Sequence, residues 1–83
     1  MAKKTYQITP FNEGQELNYV ETYKFTRAGA IIRATYMAKR LADILERASI
    51  SVEVRDSTDR LVFYGKVLGV GHDRYVQDMT KEM

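Results

Sequence analysis

The sequence contains no cysteine, and no stretch of it approaches the roughly 18 apolar residues in a row that a membrane-spanning helix needs. The missing thiols exclude a disulfide framework, thiolate metal sites and thiol-based catalysis. In so small a chain, missing disulfides also favour a reducing compartment. The first residues include two lysines but no apolar segment typical of a signal peptide. We therefore expect a soluble cytoplasmic protein that does not associate with membranes.

Residues suited to catalysis or metal binding are few and scattered. His72 is the only histidine, whereas a metal site needs several ligands. The acidic residues that are close together in the sequence fall in predicted turns, and no serine has an evident histidine partner. The glycine-rich stretch 65–72 lacks the Lys-Ser/Thr ending of a phosphate-binding loop. These absences predict a protein that is not an enzyme and has no metal, cofactor or small-molecule substrate.

The 83 residues are expected to form one domain. Residues 1–16 are interpreted as either a flexible tail or an edge strand that ends at Pro10, because proline cannot donate to a strand ladder. The spacing of apolar residues then predicts a strand, a long helix and a β-hairpin, in that order: 17–25, 27–48 and 50–68. Residues 75–83 are predicted to be a short helix or a frayed tail.

This order predicts an α+β fold of β-α-β-β type, with one long helix on one face of a three- to four-stranded sheet. A crossover through the helix sets strand 17–25 parallel to a hairpin strand. Thr26 is suited to cap the helix N-terminus. Positions at spacings of three and four predict the buried helix face: Ile31, Ala34, Ala38, Leu41, Ala42, Leu45 and Ala48. The other sheet face is left uncovered and is a candidate partner surface if it carries Val20, Val62 or Tyr64.

The formal net charge is only +2, which is small for a nucleic-acid-binding protein, but the excess lies within the predicted helix. Arg33, Arg40 and Arg47 are seven residues apart, so they form a nearly straight stripe away from the alanines. Together with Lys39 they are placed to contact successive phosphates of a nucleic acid. Alternatively, this face is solvated and supports the helix through the pairs Lys39–Asp43 and Asp43–Arg47.

An apolar pair, Ile32 and Tyr36, interrupts the charged face. It predicts either contact with another chain or cover by the N-terminal segment that contains Phe11. We therefore predict a non-catalytic protein-binding module, a small adaptor- or inhibitor-like protein that self-associates as a homodimer. Its predicted protein-binding residues are Ile32, Tyr36 and Tyr64. The alternative is a nucleic-acid-binding protein that uses the basic face of helix 27–48, with Arg33, Lys39, Arg40 and Arg47 as the contact residues.

Overall fold

In residues 4–24, 26–45 and 49–82, which the computed structural model describes, an antiparallel sheet of six strands packs against one α-helix. The elements follow one another as β1 (Tyr6–Asn12), β2 (Gln15–Glu16), β3 (Glu21–Tyr23), α1 (Arg27–Ile44), β4 (Ile50–Asp56), β5 (Leu61–Leu68) and β6 (Tyr75–Asp78). Short 3₁₀ turns at Gly71–Asp73 and Thr80–Glu82 precede and follow β6. The predicted α+β class is confirmed, whereas the predicted order and number of strands are partly wrong.

Tyr6–Asn12 form a strand inside the sheet, and not the tail or edge strand that was predicted for this part of the chain. β1 pairs with β4 over its whole length, and its other edge pairs with β2 and β3. Pro10 does not end the strand but is fully buried opposite Val52. Its carbonyl accepts a hydrogen bond from the Leu17 amide at 3.1 Å. In a strand, the amide N–H and the carbonyl of one residue point to the same edge. The amide hydrogen that Pro10 lacks would therefore point into the gap between β2 and β3, so the β1–β4 ladder loses no donor.

The sheet has the order β2-β1-β4-β5-β6, and β3 lies beside β1 on the same edge as β2. The predicted strand 17–25 is reduced to β3, and Phe25 lies outside the described residues. β3 and β4 point the same way because both are antiparallel to β1, but β1 separates them. The predicted parallel direction is therefore present, but the two strands do not pair. The predicted terminal helix or tail is largely replaced by β6, because β5 offers it a free edge and Val76 packs against the core.

Helix α1 covers one face of the sheet mainly through alanine side chains. Thr26 caps the helix as predicted, since its hydroxyl accepts a hydrogen bond from the Gly29 amide at 3.0 Å. The buried helix residues are Ala30, Ala34, Met37, Ala38 and Ala42. They pack on the aliphatic residues Ile8, Ile50, Val52 and Val54, which are completely buried. The helix ends at Ile44, before the predicted end at 48, and residues 46–48 lie outside the described residues.

The predicted hairpin is present as β4 and β5, and an aspartate organises its turn. One carboxylate oxygen of Asp56 accepts hydrogen bonds from the Thr58 hydroxyl, the Thr58 amide and the Arg60 amide at 2.6–3.0 Å. These bonds, led by that from the Thr58 hydroxyl, hold the pKa of Asp56 below its ordinary value of 3.8. Asp59 has a φ of 64°, the left-handed conformation that closes such a three-residue hairpin loop. In the described residues, no helix is both long enough and apolar enough to cross a membrane.

Candidate interaction surface on the helix

The side of α1 that faces away from the sheet carries a row of large exposed side chains. Ile32, Tyr36, Arg40 and Ile44 are four residues apart, so they lie one above the other along the helix. We refer to these four residues as the outer row. Ile32, Tyr36 and Ile44 are 70%, 55% and 64% exposed. Three of the eight large hydrophobic residues that the described structure exposes therefore lie in one line. A contiguous exposed group of this kind is typical of an interaction site.

Arg33, next to the outer row, is held in place by an acid from another element. Its Nε lies 3.0 Å from both carboxylate oxygens of Glu21, which is in β3, and its Nη2 lies 3.0 Å from Glu21 Oε1. These hydrogen bonds, together with the carboxylate charge, raise the pKa of Arg33 above its ordinary value. The guanidinium carbon lies 5.5 Å from the ring centroid of Tyr36, within the range of a cation–π contact. Glu21 and Arg33 thus connect the sheet edge to the Tyr36 ring.

The predicted arginine stripe is not a row of three equivalent cations. Arg33 is neutralised by Glu21, and Arg47 lies outside the described residues. Arg40 is exposed and makes no ion pair within the described ranges, and the same holds for Lys39. The sequence suggested a pair between Lys39 and Asp43, but Asp43 instead accepts a hydrogen bond from Nη1 of Arg74 at 2.6 Å. Two of the four predicted nucleic-acid contacts therefore remain as unpaired cations on this surface.

A shallow groove runs along one side of the outer row. It encloses about 260 Å³ between the helix and Tyr19, which lies in the loop between β2 and β3. Its other lining residues are Arg33, Tyr36, Met37, Arg40, Leu41 and Ile44. Tyr19 is 53% exposed. The position of Ile44 on this surface could have been predicted, because it continues the i,i+4 series. The position of Tyr19 beside the helix could not, because it depends on the pairing of β3 with β1 and on no local pattern.

Tyr64, the third predicted protein-binding residue, is remote from the outer row. It neighbours Phe63 and Gly65, which are buried under α1, and therefore points to the opposite face of the sheet. It is half-buried, and its backbone bonds to the Thr80 hydroxyl and the Met79 amide. The side chains around it on that face are mostly polar and include one aromatic ring: Thr9, Phe11, Ser51, Glu53, Arg55 and Lys66. This face is therefore more polar than the apolar partner surface that was considered for it.

From residue 4 onwards, the N-terminal segment does not cover Ile32 and Tyr36. Phe11 pairs with Ser51 in the sheet and lies on the face away from the helix. The prediction that this residue covers Ile32 and Tyr36 is therefore wrong. Val62 packs against the core, while Val20 is 48% exposed in the loop before β3. His72 lies exposed in the turn Gly71–Asp73. The described residues hold no cluster of three or more histidines and acids that would suit a metal ion.

Ile32 and Tyr36 thus share one surface with Arg40 and Ile44, and Tyr64 belongs to another. The surface combines three exposed apolar side chains with two unpaired cations, and Glu21 holds the third cation against the Tyr36 ring. No protein-family model, curated protein or solved structure matches this chain, so its function is inferred from this surface alone.

Proposed function

We propose that this protein is a non-catalytic protein-binding module, adaptor- or inhibitor-like, that self-associates through the outer row of α1. The observation that carries the proposal is the exposure of Ile32, Tyr36 and Ile44 along one helix face, with Arg40 on the turn between the last two. A monomer that exposed these side chains would keep an apolar strip in water. Association would remove it, and a domain of 83 residues has a small core that gains from such burial.

The expected association is weak. Complete burial of one such apolar side chain stabilises a complex by about 1.5–3 kcal/mol. A symmetric dimer buries three such side chains from each copy, and each is already about 30–45% buried in the monomer. The six together contribute roughly 6–11 kcal/mol on this scale, against an association cost of about 4–15 kcal/mol. The balance favours a dissociation constant of micromolar order or weaker. A dimer is therefore expected at high protein concentration, and a monomer in dilute solution.

Sedimentation equilibrium over a wide concentration range tests this proposal. The wild-type mass is expected to rise from 9.6 kDa towards twice that value. Tyr36→Ala should weaken the dimer by about tenfold or more, as for an aromatic residue near the centre of an interface. Tyr75→Ala is a matched control, because Tyr75 is 54% exposed and lies on β6, away from the outer row. A monomeric mass near millimolar concentration, or equal effects of the two variants, would reject the proposal.

Binding of nucleic acid is the second candidate function. It is supported by the two exposed cations Lys39 and Arg40, which have no ion-pair partner in the described ranges, and by the exposed Tyr36 ring one helical turn before them. Two phosphate contacts predict that log K falls with log salt at a slope of about −2, and Arg40→Ala should remove about one unit. Fluorescence anisotropy with single- and double-stranded oligonucleotides measures this slope. Absence of binding at low salt would eliminate this candidate.

A further inference from the structure

The order of residue types in the outer row has a self-complementary pattern. From Ile32 to Ile44 the row runs isoleucine, tyrosine, arginine, isoleucine, and in the reverse direction it runs isoleucine, arginine, tyrosine, isoleucine. We propose that the partner is a second copy of this chain, docked with its α1 antiparallel to the first. In this register Ile32 meets Ile44 of the second copy, and Tyr36 meets Arg40 of the second copy. The inference rests on the proposed function and adds the orientation and register of the two copies.

Two-fold symmetry makes this register consistent. In a symmetric dimer, if one residue contacts another across the interface, the reciprocal contact is also made. The midpoint between 32 and 44 is residue 38, which is also the midpoint between 36 and 40. A single axis at the level of residue 38 therefore forms two Ile–Ile contacts at the ends and two Tyr–Arg contacts in the middle.

Neighbouring registers lack this complementarity. An axis at Tyr36 places the guanidinium of Arg40 against Ile32, which desolvates a charge without a partner. An axis at Arg40 places two guanidinium groups opposite each other. With the axis at residue 38, each guanidinium meets an aromatic ring, the arrangement of a cation–π contact. Because Arg33 and Glu21 hold the ring of Tyr36 from within the same copy, the ring is already positioned before the second copy binds.

Helix geometry also accommodates the pairing. Rows of residues four apart are inclined by about 26° to the helix axis, so two such rows align when the helices cross at about 50°. This is the commonest class of helix packing in globular proteins. Tyr19 flanks the row on one side, and Lys39 and Asp43 flank it on the other, beside the Gly71–Arg74 turn. The outer row is thus the part of α1 most open to a second helix.

Disulfide cross-linking tests the register, and the chain is suited to it because it has no native cysteine. Ile32→Cys and Ile44→Cys are prepared as separate full-length variants, and each is oxidised mildly, alone and in an equimolar mixture. Within one helix the two positions are about 18 Å apart, at 1.5 Å per residue. A disulfide requires Cα atoms about 4.4–6.8 Å apart. The mixture should give at least tenfold more covalent dimer than either variant alone.

A salt series provides a second measurement. The two copies bring Arg40 and Lys39 of like charge to the same interface, and this repulsion is screened over about 10 Å at 0.1 M salt. The dissociation constant of the wild-type dimer should therefore not increase with added salt.

Circular dichroism verifies that both cysteine variants are folded, as expected for exposed positions.

The outcomes separate this inference from the proposed function. Selective cross-linking in the mixture supports the antiparallel register. Equal or stronger cross-linking of Ile32→Cys alone shows a different register and overturns it. A wild-type dimer in sedimentation without cross-linking in the mixture also overturns it, while self-association itself stands. A wild-type protein that stays monomeric refutes both.

Discussion

Replacement of Gly65 by alanine is expected to destabilise the fold, because the sheet has no room for a methyl group at this position. Gly65 lies in β5 opposite Val52, on the sheet face that α1 covers, and it is buried. A Cβ atom added there would lie 2.7 Å from a ring carbon of Phe63 and 2.7 Å from Cγ1 of Val76. Both distances are well below van der Waals contact, and both neighbours pack in or against the core.

The expected magnitude follows from two opposing effects. Overpacking of a core costs about 1–3 kcal/mol, since neighbours must leave their preferred rotamers. Alanine also restricts the unfolded chain relative to glycine, which stabilises the protein by about 0.4–1 kcal/mol. The net loss is about 1–2 kcal/mol, and in a domain of this size it lowers the melting temperature by about 4–16 °C. The loss should be smaller in the background Val76→Ala, which removes one of the two clashing atoms.

Urea denaturation monitored by circular dichroism measures the change, and Lys66→Ala is the control, because Lys66 is the next residue of β5 and is exposed on the opposite sheet face. This variant adds no atom to the core, so its stability should stay within about 0.5 kcal/mol of the wild type. Equal stability of Gly65→Ala and the wild type, or an unchanged loss in the Val76→Ala background, would contradict the clash.

Two further predictions concern polar contacts at element ends. Thr26→Ala should lower the free energy of unfolding by about 1 kcal/mol, because the helix loses its N-cap. Thr26→Ser keeps the hydroxyl and should keep most of that stability in thermal or urea unfolding; equal losses for the two variants would contradict the cap. The pKa values of Asp56 and Asp78 lie below their ordinary value of 3.8, chiefly through the hydroxyls of Thr58 and Thr80. Since folding favours their ionised forms, this stabilisation is complete above the unfolded pKa and is lost as pH falls below about 3.8. The melting temperature should fall in acid, and less steeply after Asp56→Asn and Asp78→Asn; identical pH profiles would contradict this.

The helix was predictable because its determinants are local. Thr26 lies directly before the periodic segment, and the alanine positions recur at helical spacing. The burial of Ala34, Ala38 and Ala42 and the exposure of Ile32 and Tyr36 follow from that spacing. The C-terminal boundary was less accessible, since no glycine or proline marks the end of the helix near Ile44.

The sheet order was not predictable, because its pairings join distant parts of the chain. β1 pairs with β4, whose partner residues lie 38 to 50 positions further along the chain, and this pairing makes Tyr6–Asn12 an inner strand. Pro10 is a negative indicator for a central strand, yet here its nitrogen faces the gap between two short strands. Composition within residues 1–16 does not contain this information.

The sequence alone determined that the chain carries one amphipathic helix whose outer face combines Ile32 and Tyr36 with cations. It also determined the hairpin, because alternating residues and a turn at Asp56–Asp59 are adjacent in the chain. Only the tertiary structure decided which of the cations are paired. Glu21 reaches Arg33 from β3, Arg74 reaches Asp43 from the turn before β6, and Tyr64 is turned to the far sheet face. Helical periodicity fixes the neighbours within one helix, but neighbours from other elements depend on long-range strand pairing.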